Sequence, residues 1–304
     1  MRYYLSIFWL IIFSSCTTLV ESDFEDYSDY HVVNCILSTD SQIVINVSKS
    51  FGLQSKQPDY EGQAEIDMYI NDNFHSSLTY QNEGDYIAEV TAKEGVEYRF
   101  VVQIPNRESF SIQKKIPVAS EILSIDHKEN FAIDEEGVST PALLISLQND
   151  ISEIRYHHLK VSQIQIYSFQ NDTIVTPIQI KELVDPLLIR EGIPILNFSN
   201  EGVMNSKIDL TVNYSTGNDL LINEQRKIQL YPLLIELRTT DHDYYELVKS
   251  EYLYEQSNLP QLDGNNRPVY EPYYKSYAEG VIGLSVAYSK VIADTLFLEN
   301  QYQW

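Results

Sequence analysis

The chain has 304 residues, 43% apolar and 21% charged, which is enough to bury a real core and long enough for two domains. That balance excludes a disordered protein. Its 44 acidic against 21 basic side chains leave a formal net charge of -23, which repels phosphate backbones and anionic lipid surfaces, so nucleic acid is not an expected partner.

The start, Met1-Arg2-Tyr3-Tyr4, carries one basic side chain and leads into an apolar run from Leu5 to Phe13 that ends in Ser14-Ser15-Cys16. This is the layout of a secretory signal over 1–15. The run is about half the roughly 20 residues a spanning helix takes, so a cleaved signal fits better than a permanent membrane helix. Small residues before Cys16 resemble a bacterial lipobox, in which the cysteine is acylated and becomes the first residue of the mature chain. The alternative is that Cys16 merely ends an ordinary signal. The chain has two cysteines. With Cys16 lipidated, Cys35 has no partner in the chain and reads as a small buried hydrophobe in the strand His31 to Leu37. Residues 16–29 include the acidic stretch Glu21-Ser22-Asp23-Phe24-Glu25-Asp26 and read as a tether. Acidic residues at this position resemble the signal that sends Bacteroidota lipoproteins to the outer face of the outer membrane.

From residue 30 to 118 the apolar period is two. Ala64, Ile66, Met68 and Ile70 alternate with Glu65 and Asp67, and Tyr98, Phe100, Val102 and Ile104 alternate with Glu97, Arg99 and Gln103. Ile43 to Val47, Tyr86 to Val90 and Phe110 to Ile116 supply further strands, separated by turns at Glu83-Gly84-Asp85, Lys93-Glu94-Gly95 and Pro105-Asn106-Arg107. Short strands punctuated this way predict an immunoglobulin-like β-sandwich. A boundary is expected near Pro117-Val118-Ala119-Ser120, with the first sandwich folding by itself.

Residues 119–304 predict a second, larger β-domain. Ile208, Leu210, Val212 and Tyr214 share one strand face. Pro232, inside the apolar run Ile228 to Leu237, marks an edge strand or a bulge. Between His157 and Phe169 the apolar phase switches from Leu159 and Val161 to Ile164 and Ile166, which predicts a β-bulge near Ser162-Gln163. One helix is expected over about residues 241–257, N-capped by Thr240, with Tyr245, Val248 and Tyr252 on one face. A loop from Leu262 to Pro268 follows, and two strands, Gly280 to Tyr288 and Val291 to Leu298, close the chain. The fold class expected is therefore mainly β, with two consecutive antiparallel sandwiches and one helix in the second.

The order of these features resembles a known family. A lipoprotein signal is followed by Val32-Val33-Asn34-Cys35-Ile36-Leu37, Ile43-Val44-Ile45-Asn46-Val47-Ser48-Lys49-Ser50, Ala64 to Ile70, Glu83-Gly84-Asp85-Tyr86, Gly95-Val96-Glu97-Tyr98 and Lys115-Ile116-Pro117. The helix from Asp243-Tyr244-Tyr245-Glu246-Leu247 and the segment Glu279-Gly280-Val281-Ile282-Gly283-Leu284-Ser285 complete the pattern. It looks like the Bacteroidota lipoproteins grouped as domain of unknown function 4249, whose N-terminal part is similar to carboxypeptidase regulatory-like sandwiches. Family members commonly have an Asn and paired glycines before the last strands, where this chain has Tyr277-Ala278-Glu279-Gly280-Val281-Ile282-Gly283. The resemblance implies an outer-membrane lipoprotein working beside a TonB-dependent receptor, and it transfers no catalytic residue or cofactor.

Of the six histidines, His157-His158 is the adjacent pair. Neighbours in a strand point to opposite faces, so the two are not expected to share a metal ion. Asp241-His242-Asp243 reads as the polar first turn of the helix, and Asp134-Glu135-Glu136 before Gly137 as an acidic turn. No serine-hydrolase elbow, zincin motif or P-loop is present, although a glycosidase's paired carboxylates would leave no local mark. Asp172-Thr173-Ile174 and Asp294-Thr295-Leu296 are similar to acceptors of Bacteroidota O-glycosylation, with Thr173 and Thr295 the acceptor residues. The tyrosines of Tyr270-Glu271-Pro272-Tyr273-Tyr274-Lys275-Ser276-Tyr277 suit either a stacking platform for a saccharide or peptide, or a cover over the end of the second core. The leading expectation is a non-enzymatic accessory of an uptake system at the outer membrane. A structural surface protein or adhesin comes second and a hydrolase third.

Overall fold

The computed structural model describes residues 30–50, 59–134, 136–167, 172–222, 225–256, 272–293 and 295–296. Cys16, the signal, the tether, the loop from Leu262 to Pro268 and Tyr270 lie outside the described residues. The first part holds β1 (His31–Ser38), β2 (Gln42–Lys49), β3 (Asp59–Tyr60), β4 (Glu65–Ile70), β5 (Asn73–Ser77), β6 (Thr79–Tyr80), β7 (Asp85–Thr91), β8 (Glu97–Gln103) and β9 (Phe110–Lys115). Next come β10 (Ile122–Ile133), β11 (Ser139–Gln148), β12 (Tyr156–Tyr167), β13 (Asp172–Pro177), β14 (Gln179–Glu182), the helix α1 (Pro186–Glu191), β15 (Asn197–Ser199), β16 (Lys207–Ser215), β17 (Asp219–Ile222) and β18 (Gln225–Ile228). The chain then forms β19 (Leu233–Thr240), α2 (His242–Gln256), β20 (Lys275–Ala278) and β21 (Val281–Ile292).

The fold is mainly β and sandwich-like, with two sheet-rich regions and the expected helix near the C-terminal part. Its organising element is an 11-stranded sheet running β13-β12-β19-β21-β1-β2-β7-β6, with β15, β20 and β3 on its margins. A 4-stranded sheet, β5-β4-β8-β9, packs with the β1 and β2 end of it around a core containing Val33, Cys35, Leu37, Ile66, Phe100 and Ala287. A 6-stranded sheet centred on β11 and β16 encloses a second core with Leu159, Val161, Ile235, Leu237, Leu210 and Val212. Directly paired residues share a sheet face, and the pairings Leu37↔Ala287, Thr239↔Ser289 and Leu159↔Leu237 put both cores on the same face of the long sheet.

The long sheet crosses the boundary drawn near Pro117. β21 pairs in parallel with β1 over His31↔Val281 to Ser38↔Tyr288, so a strand from the end of the chain completes the first sandwich. Of the two closing strands of the sequence reading, Gly280 to Tyr288 falls in β21, which is preceded by the short β20 and runs on only to Ile292; Leu296 makes an isolated bridge to Leu233, and Asp294, Phe297 and Leu298 lie outside the described residues. Gly283 permits the contact, because a Cβ there would lie 1.9 Å from the Val33 carbonyl oxygen. The linker after β9 does not run through solvent either. Ser120 lies on the shared face, its N–H donating to Thr239 Oγ1 at 2.9 Å and its hydroxyl 3.0 Å from His157 Nε2.

Local alternation forms most strands as the pattern predicts: Ala64, Ile66 and Met68 are buried, as are Tyr98, Phe100, Val102 and Ile104, and Ile208, Leu210, Val212 and Tyr214. At the turn between β6 and β7, Gly84 adopts φ +80° where a Cβ would meet the Val47 carbonyl oxygen at 2.3 Å. Three details differ from expectation. No bulge interrupts β12: its pairings with β19 and β13 are regular, and the buried series His157, Leu159, Val161, Gln163, Gln165 keeps strict alternation. The two glutamines take inward positions that the apolar count misses, Gln163 Nε2 donating to Thr176 Oγ1 and the Thr216 carbonyl. Pro232 is neither on an edge strand nor in a bulge; it separates β18 from β19 where the chain passes from the 6-stranded to the long sheet. The cap of α2 is Asp241, whose Oδ1 accepts from Tyr244 N–H at 2.9 Å, so the cap lies one residue beyond Thr240, which is still in β19. The shorter α1 was not foreseen, although Asp185 caps it at Leu187 N–H with Pro186 in the first turn.

Two measurements follow. A polypeptide of residues 28–118 has no β21 beside β1, so a peptide of residues 275–293 is expected to raise its thermal midpoint, and the same peptide with Gly283→Ala is not; an unchanged midpoint with both would mean the first sandwich is complete by itself. The Cys35 thiol is fully buried and pushed by that burial up to about 12, so it is expected to react slowly in the native protein and at once in denaturant. Rapid labelling of the folded chain would contradict the packing of β1.

Candidate functional site

The most connected group of charged side chains gathers where β19 gives way to α2. β19 stops pairing with β21 at Thr240↔Tyr288, and the Asp241 N–H donates to the Ala287 carbonyl at 2.9 Å as the chain turns into the helix. β9 brings Lys114 to the same place, because Ile112, Lys114 and Ile116 share the inward phase of that segment. Lys114 Nζ donates to Asp241 Oδ2 at 2.6 Å and to Asp243 Oδ2. Asp243 also accepts from Lys275 of β20 and from the Tyr273 hydroxyl. Two lysines thus balance two aspartates. Burial pushes the Asp243 carboxyl up, but hydrogen bonds from Lys114, Lys275 and Tyr273 outweigh it and hold it at about 2. At Asp241 burial prevails over the attraction of Lys114 and the carboxyl sits above its usual value.

Each charge in this cluster meets an opposite charge, with Lys114 7% and Lys275 37% exposed. The cluster therefore ties the first sandwich, the helix and β20 together. A second tie fastens α2 to α1. Glu191, at 5% side-chain exposure, accepts from the Tyr245 hydroxyl and from Lys249 Nζ.

The histidine pair splits across the sheet. His157 stacks on Phe198 with ring centroids 5.2 Å apart and faces Ser120, whereas His158 Nδ1 lies 3.0 Å from the Tyr244 hydroxyl on the other side. Burial, with Arg155 nearby for His157 and Arg238 and Lys160 for His158, pushes both down to about 3, so both are neutral at physiological pH. Among the described residues no group of three or more His, Cys, Asp and Glu side chains is placed to hold a metal ion. The acidic turn is as expected, Asp134 Oδ1 accepting from the Glu136 and Val138 N–H groups. An apolar groove of about 380 Å³ opens between Ile122, Ser124 and Ile125 of β10 and the segment Val291, Ala293, Thr295, Leu296.

A comparison with protein families places the chain. The model of a family described as a domain of unknown function (DUF4249) matches residues 17–290. The chain belongs to this family. Neither a curated protein nor a solved structure matches it.

Within this family member the described part of the tyrosine-rich segment, Tyr273 to Tyr277, alternates in burial. Tyr273 and Tyr277 alternate inward while Tyr274 turns outward and is 52% exposed. Tyr273 is held by Asp243, and Tyr277 stacks on Phe110 at 5.3 Å against the first core, where the sequence reading had the segment covering the second. Of the two threonines expected as acceptors, Thr173 is exposed on β13, whereas Thr295 is half-buried in the groove. What sequence reasoning missed is Lys114, and a signal for it existed: a lysine at an inward position of an otherwise apolar strand phase requires a buried anion.

Removing the shared cation tests the cluster. Lys114→Met leaves Asp241 and Asp243 short of a partner and is expected to cost about 3 kcal/mol of stability, read by urea unfolding. The pH dependence has a fixed sign. Asp243 is held below its ordinary 3.8 when folded, so its contribution is complete above that value and is lost as pH falls toward about 2. Asp241, held above its ordinary value, works in the opposite sense and reduces the net loss. Asp243→Asn is therefore expected to flatten the fall in stability between about pH 4 and about pH 2, and an unchanged acid limb would show that the cluster does not set it.

Proposed function

We propose that this chain is exported, acylated at Cys16 and anchored to the outer membrane, facing the cell exterior, where it serves without catalysis as a ligand- or receptor-binding accessory of a TonB-dependent receptor. The observation that carries the reading is the short apolar run ending in Ser14-Ser15-Cys16, with the family match beginning at residue 17, directly after that cysteine. The segment from Cys16 to Tyr30 allows the ectodomain to stand at most roughly 50 Å from the bilayer. The chain's large acidic excess suits a surface protein kept soluble beside a membrane. The paired charges at the start and the middle of the helix suit a rigid binding body better than a reaction centre.

Radiolabelled fatty acid is expected to enter the full-length chain and not its Cys16→Ala variant. Equal labelling of the two would remove the anchor from the reading. A large outer-membrane barrel protein is expected to co-purify with the acylated form after detergent extraction, and recovery of the lipoprotein by itself would favour the spacer or adhesin reading.

A further inference from the structure

The face of the long sheet opposite the two cores is covered by α2 over only part of its area. Three adjacent strands there, β12, β19 and β21, set their residues in rows. His158 pairs with Arg238 and Arg238 with Lys290; in the next row Lys160 pairs with Glu236 and Glu236 with Ile292. The neighbouring row is Tyr156, Thr240 and Tyr288. Where α2 leaves the sheet, Lys160, Arg238 and Lys290 thus stand together on a chain of net charge -23.

Like charges directly opposite each other on paired strands repel, so the Arg238↔Lys290 pairing breaks the usual rule for a sheet face. Such a breach persists where something compensates for it. The guanidinium itself is held in place. Arg238 Nε donates to Glu236 at 2.5 Å, Nη1 donates to the Tyr244 hydroxyl at 2.6 Å, and the group lies 4.5 Å over the Tyr288 ring. That fixes the plane of the fork and spends the carboxylate of Glu236. His158 is neutral here. Among the described residues no carboxylate lies within ion-pair distance of Lys160 or Lys290. Lys290, and Lys160, which faces Glu236 across the strands without closing an ion pair to it, therefore flank an oriented guanidinium, on strands two spacings apart, or about 10 Å.

We infer that Lys160, Arg238 and Lys290 form a binding site for a small di- or tricarboxylate. Each lysine takes one carboxylate, and the preoriented Arg238 edge faces the middle of the ligand. A small anion fits better than a long polyanion, because a chain of net charge -23 repels a polymer that extends beyond the patch. The site stands on the pairing of three strands and is independent of the lipid anchor, so failure of the acylation test leaves it untouched.

Isothermal titration of the folded ectodomain with citrate in about 0.15 M salt, where long-range attraction is screened within about 8 Å, tests the site. Saturable binding is expected, weakened about tenfold by Lys290→Gln and by Lys160→Gln, the loss of one charge-assisted hydrogen bond in each case. Lys160 is exposed and Lys290 half-buried, neither in a core, so the variants are expected to keep the wild-type circular dichroism spectrum, and Lys290→Gln to unfold at the same or a higher temperature through relief of the repulsion. Absence of saturable citrate binding, citrate binding unchanged in the double variant, or binding of a sulfated polysaccharide in preference to citrate would each overturn the assignment.

Discussion

Eight consecutive residues of β1 pair in parallel with β21, which lies 250 positions further along the chain, and every larger feature of the fold is arranged around that contact. It joins the strands of the first region to β19 and β12 and makes one sheet from what would otherwise be two. A parallel neighbour needs a long crossover, and here the crossover is everything from β2 to β20, the rest of the first sandwich as well as the second and the helices. Close approach of the two backbones depends on the missing side chain at Gly283. Contacts of this separation close late and slowly, so β1 stays an unfinished edge until the chain is almost entirely available.

A continuous sheet carrying two cores on one face has to separate them, and it does so with a polar row. His157, Thr239 and Ser289 lie side by side across β12, β19 and β21, all essentially buried, between the core around Leu37 and Ala287 and the core around Leu159 and Leu237. Ser120 from the inter-region linker fills the seam and hydrogen-bonds to two of its members. Buried polar groups are tolerable when partnered; Ser120 meets Thr239 Oγ1 and His157 Nε2, whereas His157 Nδ1 and Ser289 Oγ meet no protein partner. The linker therefore positions the two small sheets relative to each other as well as connecting them.

Strands with strict local alternation were legible because a half-buried strand writes its two faces directly into the sequence: β4, β8, β9 and β16 lie where their patterns put them. Errors arose where polar residues take inward positions. Gln163 and Gln165 sit on the core face, and counting them as outward forces a false phase switch and a bulge that the pairing does not contain. Pro232 was recognised as an interruption, but only the third dimension tells a bulge from a passage between sheets. The boundary near Pro117 follows from counting strands in order, and a count in chain order cannot show that the partner of β1 is β21. Capping was legible to within a residue, since Thr240 and Asp241 are both suitable caps and the choice depends on how far β19 remains paired.

The charge clusters show the same division between local and non-local information. Lys114 and its partners Asp241 and Asp243 are separated by more than a hundred residues, as are Lys160 and Lys290, so neither group exists as a sequence motif. What distinguishes the groups is stoichiometry and exposure. In the first, two lysines meet two aspartates inside the protein, the hydrogen bonds are exchanged among the members, and removal of any member leaves a buried charge. In the second, Arg238 takes the half-buried carboxylate of Glu236, no carboxylate among the described residues lies within ion-pair distance of Lys160 or Lys290, and the sheet holds the three cations close although they repel. A self-neutralised cluster accounts for its own conservation of charge and asks for nothing further. An unbalanced one, on a chain with twice as many acidic as basic side chains, leaves positive potential that a ligand's carboxylates can satisfy, and that imbalance is the physical ground for placing recognition at Lys160, Arg238 and Lys290 and not at the Lys114 cluster.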